Sequence, residues 1–150
     1  MRYDHGVLGR SVLDTDVLVA AVRSSRGASR ILLTAALGRP YPVLASVPLM
    51  LQYEAVMTRP EHLAAAGISA ADAEILLDAI ALVVESIRIS YLWRPMLPDP
   101  GDDLVLETAV NGQAEAVVTF NRRHFEPAAA RFGLEILAPA DAVRRLENRS

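Results

Sequence analysis

Apolar residues recur along the chain with two different spacings. Short and mostly continuous apolar runs are typical of strands that are buried on both faces of a parallel sheet. Such runs predict strands at 11–14, 43–46, 116–120 and 134–137, and an alternating segment predicts a further strand at 86–90. Longer segments with apolar residues three or four positions apart predict helices. These segments are 16–24, 29–37, 49–58, 70–84, 102–110 and 139–146.

Glycine and proline residues separate these segments. Gly38 follows the second predicted helix, Pro48 suits the first turn of the third helix, and Arg59-Pro60 ends it. Because strands and helices alternate throughout, we expect one three-layer α/β/α domain with a mainly parallel central sheet. The domain is expected to span residues 11–150, after a flexible N-terminal tail at 1–10.

The composition narrows the class of protein. The chain has 150 residues, of which 52% are hydrophobic, which suits one domain with a sizeable core. No apolar stretch approaches the roughly 18 residues of a membrane-spanning helix, and the N-terminus lacks a secretory signal. The chain has no cysteine, which excludes disulfides and thiolate catalysis. We therefore expect a cytoplasmic protein without a membrane partner.

Polar residues recur at the expected carboxyl ends of the strands, where open parallel sheets bind their ligands. Asp14 and Asp16 follow the first strand, and Glu54 lies in the helix after the second. Further candidates flank the fourth strand on both sides, and they are Asp99, Asp102, Asp103, Asn121 and His124.

The chemistry of these side chains suggests a metal site. Carboxylates that are brought together raise each other's pKa and need a compensating cation. Oxygen ligands without Cys or paired His favour Mg²⁺ or Mn²⁺ over zinc. Such ions lower the pKa of bound water and orient a phosphodiester. The residues alone therefore predict metal-dependent phosphoryl transfer or hydrolysis.

Most of these acids also have a purely structural interpretation. Asp16 can be a helix N-cap, and Asp99 is better explained as a turn residue. One of Asp102 and Asp103 can cap the following helix. Asp14 is the exception, because an acid that ends a buried strand is costly unless it is paired or binds a metal.

Four segments, taken in order, resemble the motifs of the PIN-domain family. The segment 12–18 resembles the opening strand of that family, and 51–57 resembles the helix that carries its glutamate. The segments 99–109 and 117–125 resemble the third acidic motif and the stretch after the fourth strand. The separation of Asp103 and Asn121 is close to that in VapC-like toxins. The chain most resembles the PIN-type toxin components of toxin–antitoxin systems.

The resemblance implies an endoribonuclease that depends on Mg²⁺ or Mn²⁺ and hydrolyses RNA with metal-activated water. It also implies a cognate antitoxin and a homodimer. Asp14, Glu54 and Asp103 carry over as the acidic metal-binding core, with Asp102 as the alternative to Asp103. Asn121 carries over as the fourth position of the site, where many relatives have Asp.

The chain departs from the family pattern at two further positions. His124 stands where related toxins can have an Asp after an Asn, and Asp16 stands where the family commonly has Asn. Because Asn121 and His124 supply no fixed negative charge, a PIN fold that binds RNA or a protein without cleaving is an alternative function. A second alternative is a phosphatase of the haloacid dehalogenase type. The segment Asp14-Thr15-Asp16 resembles the motif that carries the nucleophile in those enzymes. Such enzymes normally need a Lys, and all basic residues here except His are Arg.

Several other side chains have both a functional and a structural interpretation. Thr15 and Thr119 either orient the carboxylates or pack at the strand ends. Tyr91 and Trp93 either stack on a base or pack against the core or a dimer partner. Arginines around Gly27 and after the fourth strand either contact the RNA backbone or are solvated.

Overall fold

The computed structural model describes residues 7–38, 41–90 and 97–148. In these ranges the strands are β1 (Ser11–Leu13), β2 (Leu44–Ala45), β3 (Glu85–Ser86), β4 (Ala116–Val118) and β5 (Glu135–Leu137). The helices are α1 (Thr15–Arg23), α2 (Ala28–Leu37), α3 (Val47–Met57), α4 (Pro60–Ala66), α5 (Ala70–Val83), α6 (Pro100–Asn111), α7 (Arg122–Phe132) and α8 (Pro139–Glu147).

All strand pairs in the described ranges are parallel. β4 lies between β1 and β5, and β2 pairs with β3. A parallel bridge between Ser11 and Val43 joins the two groups, so the strands run in the order β3-β2-β1-β4-β5. The chain leaves β1 towards β2 on one side and reaches β4 on the other. The strand order therefore reverses between β1 and β4, which is where open α/β sheets form ligand crevices.

The helices bury the sheet and complete the three-layer α/β/α architecture expected from the sequence. α6 packs against β1, β4 and α7, whereas α1 packs against α2, α3 and α4. The central strands are fully enclosed, and Val12 and Val117 have no exposed surface. This burial explains why these strands appear in the sequence as continuous apolar runs.

Two helices were absent from the sequence-based prediction. Pro60 was interpreted as ending a helix, but it occupies the first turn of α4, where its missing N–H has no helical partner in any case. α7 contains Pro127, which disguises it as a loop. The predicted strand 86–90 is shorter and shifted, because only Glu85–Ser86 pairs with β2.

The packed domain begins before residue 11, where the sequence placed its N-terminal boundary. Leu8 is buried in the core, and Arg10 donates hydrogen bonds to Glu85 at 2.6 Å and to the carbonyl of Gly112 at 2.7 Å. Residues 8–10 therefore belong to the packed domain. Residues 1–6 of the expected tail, and the two aromatic residues Tyr91 and Trp93, lie outside the described ranges.

None of the helices described has both the length and the apolar character needed to cross a bilayer.

A buried tyrosine ties α3 to the end of β1. The hydroxyl of Tyr53 donates to the carbonyl oxygen of Leu13 at 2.6 Å, and the side chain is 1% exposed. Burial raises the pKa of Tyr53 far above its usual value, so the hydroxyl keeps its proton and remains a donor. This hydrogen bond fixes the backbone immediately before Asp14.

Replacing Tyr53 with Phe should destabilise the fold without emptying space in the core. The variant leaves the Leu13 carbonyl without this donor, which should lower the free energy of unfolding by about 1–3 kcal/mol. Chemical denaturation measures this directly. An unchanged denaturation midpoint would contradict the role given to this hydrogen bond.

Candidate active site

A cavity of about 730 Å³ opens at the point where the strand order reverses. It is lined by residues from the start and the far end of α1, from α3 and α4, from the N-terminus of α6 and from the segment after β4. Four of its lining residues are aspartates, namely Asp14, Asp16, Asp99 and Asp102. The cavity therefore collects acids that are far apart in the sequence.

Asp14 is held firmly at the end of β1. It is the N-cap of α1, and its Oδ1 accepts a hydrogen bond from the backbone N–H of Thr15 at 2.7 Å. Its Oδ2 accepts from the hydroxyl of Thr119 at 2.7 Å. The side chain is only 5% exposed, and burial raises the pKa of Asp14 despite these two donors. Thr119 thus orients the carboxylate, which was one of its two predicted roles.

Asp16 is not the helix cap but lies in the first turn of α1 and faces the segment after β4. Its Oδ2 accepts from the backbone N–H of Phe120 at 3.2 Å and from the side-chain amide of Asn121 at 3.0 Å. Its Oδ1 is buried and has no hydrogen-bond partner. Burial, followed by the negative charge of Asp14, raises the pKa of Asp16 to about 7.

Two further acids lie at the N-terminus of α6. Asp99 is the N-cap and accepts from the backbone N–H of Gly101 at 2.8 Å, which is the turn role expected from the sequence. Asp102 Oδ2 lies 2.9 Å from Nδ1 of His124. Burial, and then the charge of Asp14, raises the pKa of Asp102. The three acids Asp14, Asp16 and Asp102 therefore interact electrostatically across one cavity.

Two of the expected site residues do not join this cluster. Glu54 was expected to converge with Asp14, but it is exposed and lines a separate groove between α3 and α5, together with Glu74 and Asp78. Asp103 was expected as the main partner of Asp14. Its carboxylate instead accepts a hydrogen bond from the backbone N–H of Leu97 at 2.9 Å.

Helix geometry explains both corrections. Adjacent residues on a helix point about 100° apart, so only one residue of an Asp-Asp doublet can face a given pocket. On α6 that residue is Asp102, the alternative that the sequence left open. On α3 the residues that face the cavity are Val56 and Gln52, which stands two positions before Glu54.

Several lining residues were not singled out from the sequence. These are Gln52 on α3, Arg59 and His62 at the start of α4, and Phe120, which is 55% exposed. Arg23, at the far end of α1, was predicted either to contact the RNA backbone or to be solvated, and it lines the cavity. Leu49, Tyr53 and Met57 form the buried face of α3, and Glu54 lies outside this face.

The donors present suit a hard divalent cation. The acidic side of the cavity offers carboxylate oxygens, and one of them, Asp16 Oδ1, is buried without a partner. An unpaired buried carboxylate oxygen is costly unless a proton or a cation satisfies it. Within the described residues, no group of three or more His, Asp or Glu side chains is arranged so that it could hold a metal ion. The acids therefore share a cavity rather than a preformed coordination sphere.

Comparisons with known proteins agree with this fold. Residues 10–123 match the sequence model of a family described as PIN domain. A crystal structure of VapBC2 from Rickettsia felis, bound to a DNA fragment from their promoter, contains a chain of similar fold, with a TM-score of 0.58 and 15% sequence identity. The similarity covers 86% of this chain and 98% of that one. No curated protein sequence matches the chain.

The raised pKa of Asp16 should make the metal-free protein less stable as the pH rises. The folded chain holds a proton on Asp16 up to about pH 7, whereas the unfolded chain releases it near the ordinary aspartate pKa of 3.8. Stability should therefore fall between about pH 4 and pH 7 and change little above that range. Asp16→Asn, which keeps an acceptor for Phe120 and Asn121, should make this slope shallower. Thermal melts in a chelator across this range measure both slopes, and identical slopes would refute the assignment.

Proposed function

The chain belongs to the PIN-domain family, and from this premise we propose that it is a metal-dependent endoribonuclease, the toxin of a toxin–antitoxin pair. The observation that carries the proposal is the meeting of Asp14, Asp16 and Asp102 in one cavity, where Asp16 Oδ1 is buried without a partner. Negative charges that interact across one cavity favour binding of a divalent cation. The same cavity also presents arginines, which suit a phosphate backbone.

Asp14, Asp16 and Asp102 are the residues that would hold Mg²⁺ or Mn²⁺. When bound, such an ion supplies positive charge that lowers the pKa of a water ligand and offsets the charge of a phosphodiester. The chain's own residues keep the carboxylates in place. Thr119 donates to Asp14 and Asn121 donates to Asp16, and these hydrogen bonds restrict the orientation of both carboxylates.

The proposed reaction is hydrolysis of RNA. Water adds to the phosphorus in line with the 3′ oxygen, the P–O3′ bond breaks, and the products carry a 5′-phosphate and a 3′-hydroxyl. Arg23 and Arg59, on the side of the cavity formed by α1 and α4, would contact phosphate groups of the strand. His124 would keep Asp102 oriented through their 2.9 Å contact.

The proposed partners are a cognate antitoxin and a second copy of the chain. The fold shared with a chain in the VapBC2 structure supports an antitoxin partner. Val47 and Leu51 on α3 are 68% and 60% exposed and line one groove, which offers apolar surface for a homodimer. Co-purification with the product of a small neighbouring gene, and light scattering of the isolated chain, test the two partners separately.

A second candidate function is a PIN module that binds RNA without cleaving it. The amides of Gln52 and Asn121 favour it, because they line the cavity where further acids would strengthen cation binding. The phosphatase alternative has lost its support, since the chain belongs to the PIN-domain family and has no Lys for an aspartyl-phosphate.

Asp14→Asn should abolish RNA cleavage while preserving the fold. The amide oxygen still accepts from Thr15 or Thr119, but the site loses one full negative charge, so activity should fall by about a hundredfold or more. Cleavage of a labelled RNA with Mg²⁺ or Mn²⁺ measures this. Glu54→Gln is the matched control, because Glu54 lies outside the cavity, and it should cleave as the parent does. Equal activity in Asp14→Asn and the parent would refute the proposed site.

Mn²⁺ should raise the melting temperature of the parent protein. An ion that binds the folded acids and not the unfolded chain stabilises by mass action, by about 2.7 kcal/mol at one hundred times its Kd. In a chain of this size each kcal/mol corresponds to roughly 2–4 °C. Asp16→Asn should reduce the shift, and no shift at millimolar Mn²⁺ would argue against a metal site.

A further inference from the structure

Gln52 connects the two helix N-termini that carry the acids. Its Nε2 donates to the hydroxyl of Thr15 at 2.9 Å and to the carbonyl oxygen of Gly101 at 3.4 Å. Thr15 lies between Asp14 and Asp16, and Gly101 lies between Asp99 and Asp102. The contact is close, since a Cβ on Gly101 would be 3.1 Å from Gln52 Oε1. Gln52 therefore fixes the spacing between the two acidic segments.

The α3 wall of the cavity is neutral because of this residue. Glu54 follows two positions later and so points about 200° away around the helix. It is exposed and lines the other groove, where its charge contributes to raising the pKa of Glu74. The carboxylate that the sequence offers on α3 is therefore directed away from the cavity.

The segment after β4 also contributes no carboxylate to the cavity. It lines the cavity with Phe120, His124 and the amide of Asn121, which donates from Nδ2 to Asp16 Oδ2 at 3.0 Å. The acids are thus confined to the starts of α1 and α6. The two neighbouring walls carry an amide each.

The formal charges of the cavity match one divalent ion. Its lining contains four aspartates and the two arginines Arg23 and Arg59, which leaves a formal charge of −2 when the histidines are left out of the count. One divalent cation neutralises this charge, whereas two would leave an excess of +2. Two-metal sites, with ions about 3.5–4 Å apart, need carboxylates on both sides of the pair. Next to the acids, the cavity offers the amides of Gln52 and Asn121 in place of a second set of carboxylates.

We propose that the cavity binds a single divalent cation between the starts of α1 and α6, and that Gln52 is the positioning residue that sets this limit. The inference rests on the proposed function, because it assumes that the acids hold a metal ion. Gln52 orients the two acidic segments through Thr15 and Gly101 and contributes no charge for a second ion.

The test is the stoichiometry of Mn²⁺ binding to the whole, metal-depleted protein, measured by calorimetry and by the electron paramagnetic resonance of free Mn²⁺. The parent should bind about one ion per chain. Gln52→Glu places an additional carboxylate in the cavity and should bind about two. Glu54→Gln removes a carboxylate of the same helix outside the cavity and should bind as the parent does. Asn121→Asp adds a charge on the other neutral wall and should also gain an ion.

Each outcome bears on a different part of the argument. Two ions of similar affinity in the parent would overturn the inference and leave the nuclease proposal intact. A single ion in both Gln52→Glu and Asn121→Asp, with folding verified by circular dichroism, would also overturn it. A change in stoichiometry in Glu54→Gln would do the same. No Mn²⁺ binding by the parent would overturn the proposed function as well, and RNA cleavage assays would then be expected to fail too.

Discussion

The repulsion between buried carboxylates at the reversal of strand order is the constraint on which the rest of the site depends. Asp14, Asp16 and Asp102 raise one another's pKa or have it raised by burial, so folding alone does not favour their charged forms. The chain offsets this with donors from both sides, notably the Thr119 hydroxyl and the Asn121 amide. Two threonines, one amide and two helix N-termini thus hold an arrangement that a cation would stabilise further.

The sequence was sufficient to predict the architecture and the location of the site. Buried parallel strands produce continuous apolar runs, and the residue that ends such a run is placed at the edge of the sheet by the fold itself. Asp14 was found for this reason. Asn121 and Asp16 were also found, since they lie within two or three residues of a strand end, where the backbone leaves little freedom in direction.

The orientation of helical residues was harder to predict. α3 is apolar around most of its circumference, with Leu49 and Tyr53 buried while Val47 and Leu51 are exposed. Such a helix carries little information about which side faces the sheet, so Glu54 was placed in the site instead of Gln52. The choice between Asp102 and Asp103 was uncertain for the same reason. Two adjacent acids on a helix differ only in the direction in which they point, and tertiary packing decides which of them faces the cavity. α4 was missed because Pro60 was taken as the end of a helix, and no helix was predicted in the segment of α7, which contains Pro127.

The cavity has an acidic region and a basic region, and both lie at helix ends. The acids lie at the N-termini of α1 and α6, where exposed backbone N–H groups stabilise negative charge, and Arg23 lies in the last turn of α1, where carbonyl groups favour a cation. The rise of 1.5 Å per residue separates these two ends of α1 by about 12 Å. A cation and a phosphate can therefore be bound in one cavity without competing for the same groups. The separation is compatible with the proposed RNA substrate, in which phosphates recur along an extended strand.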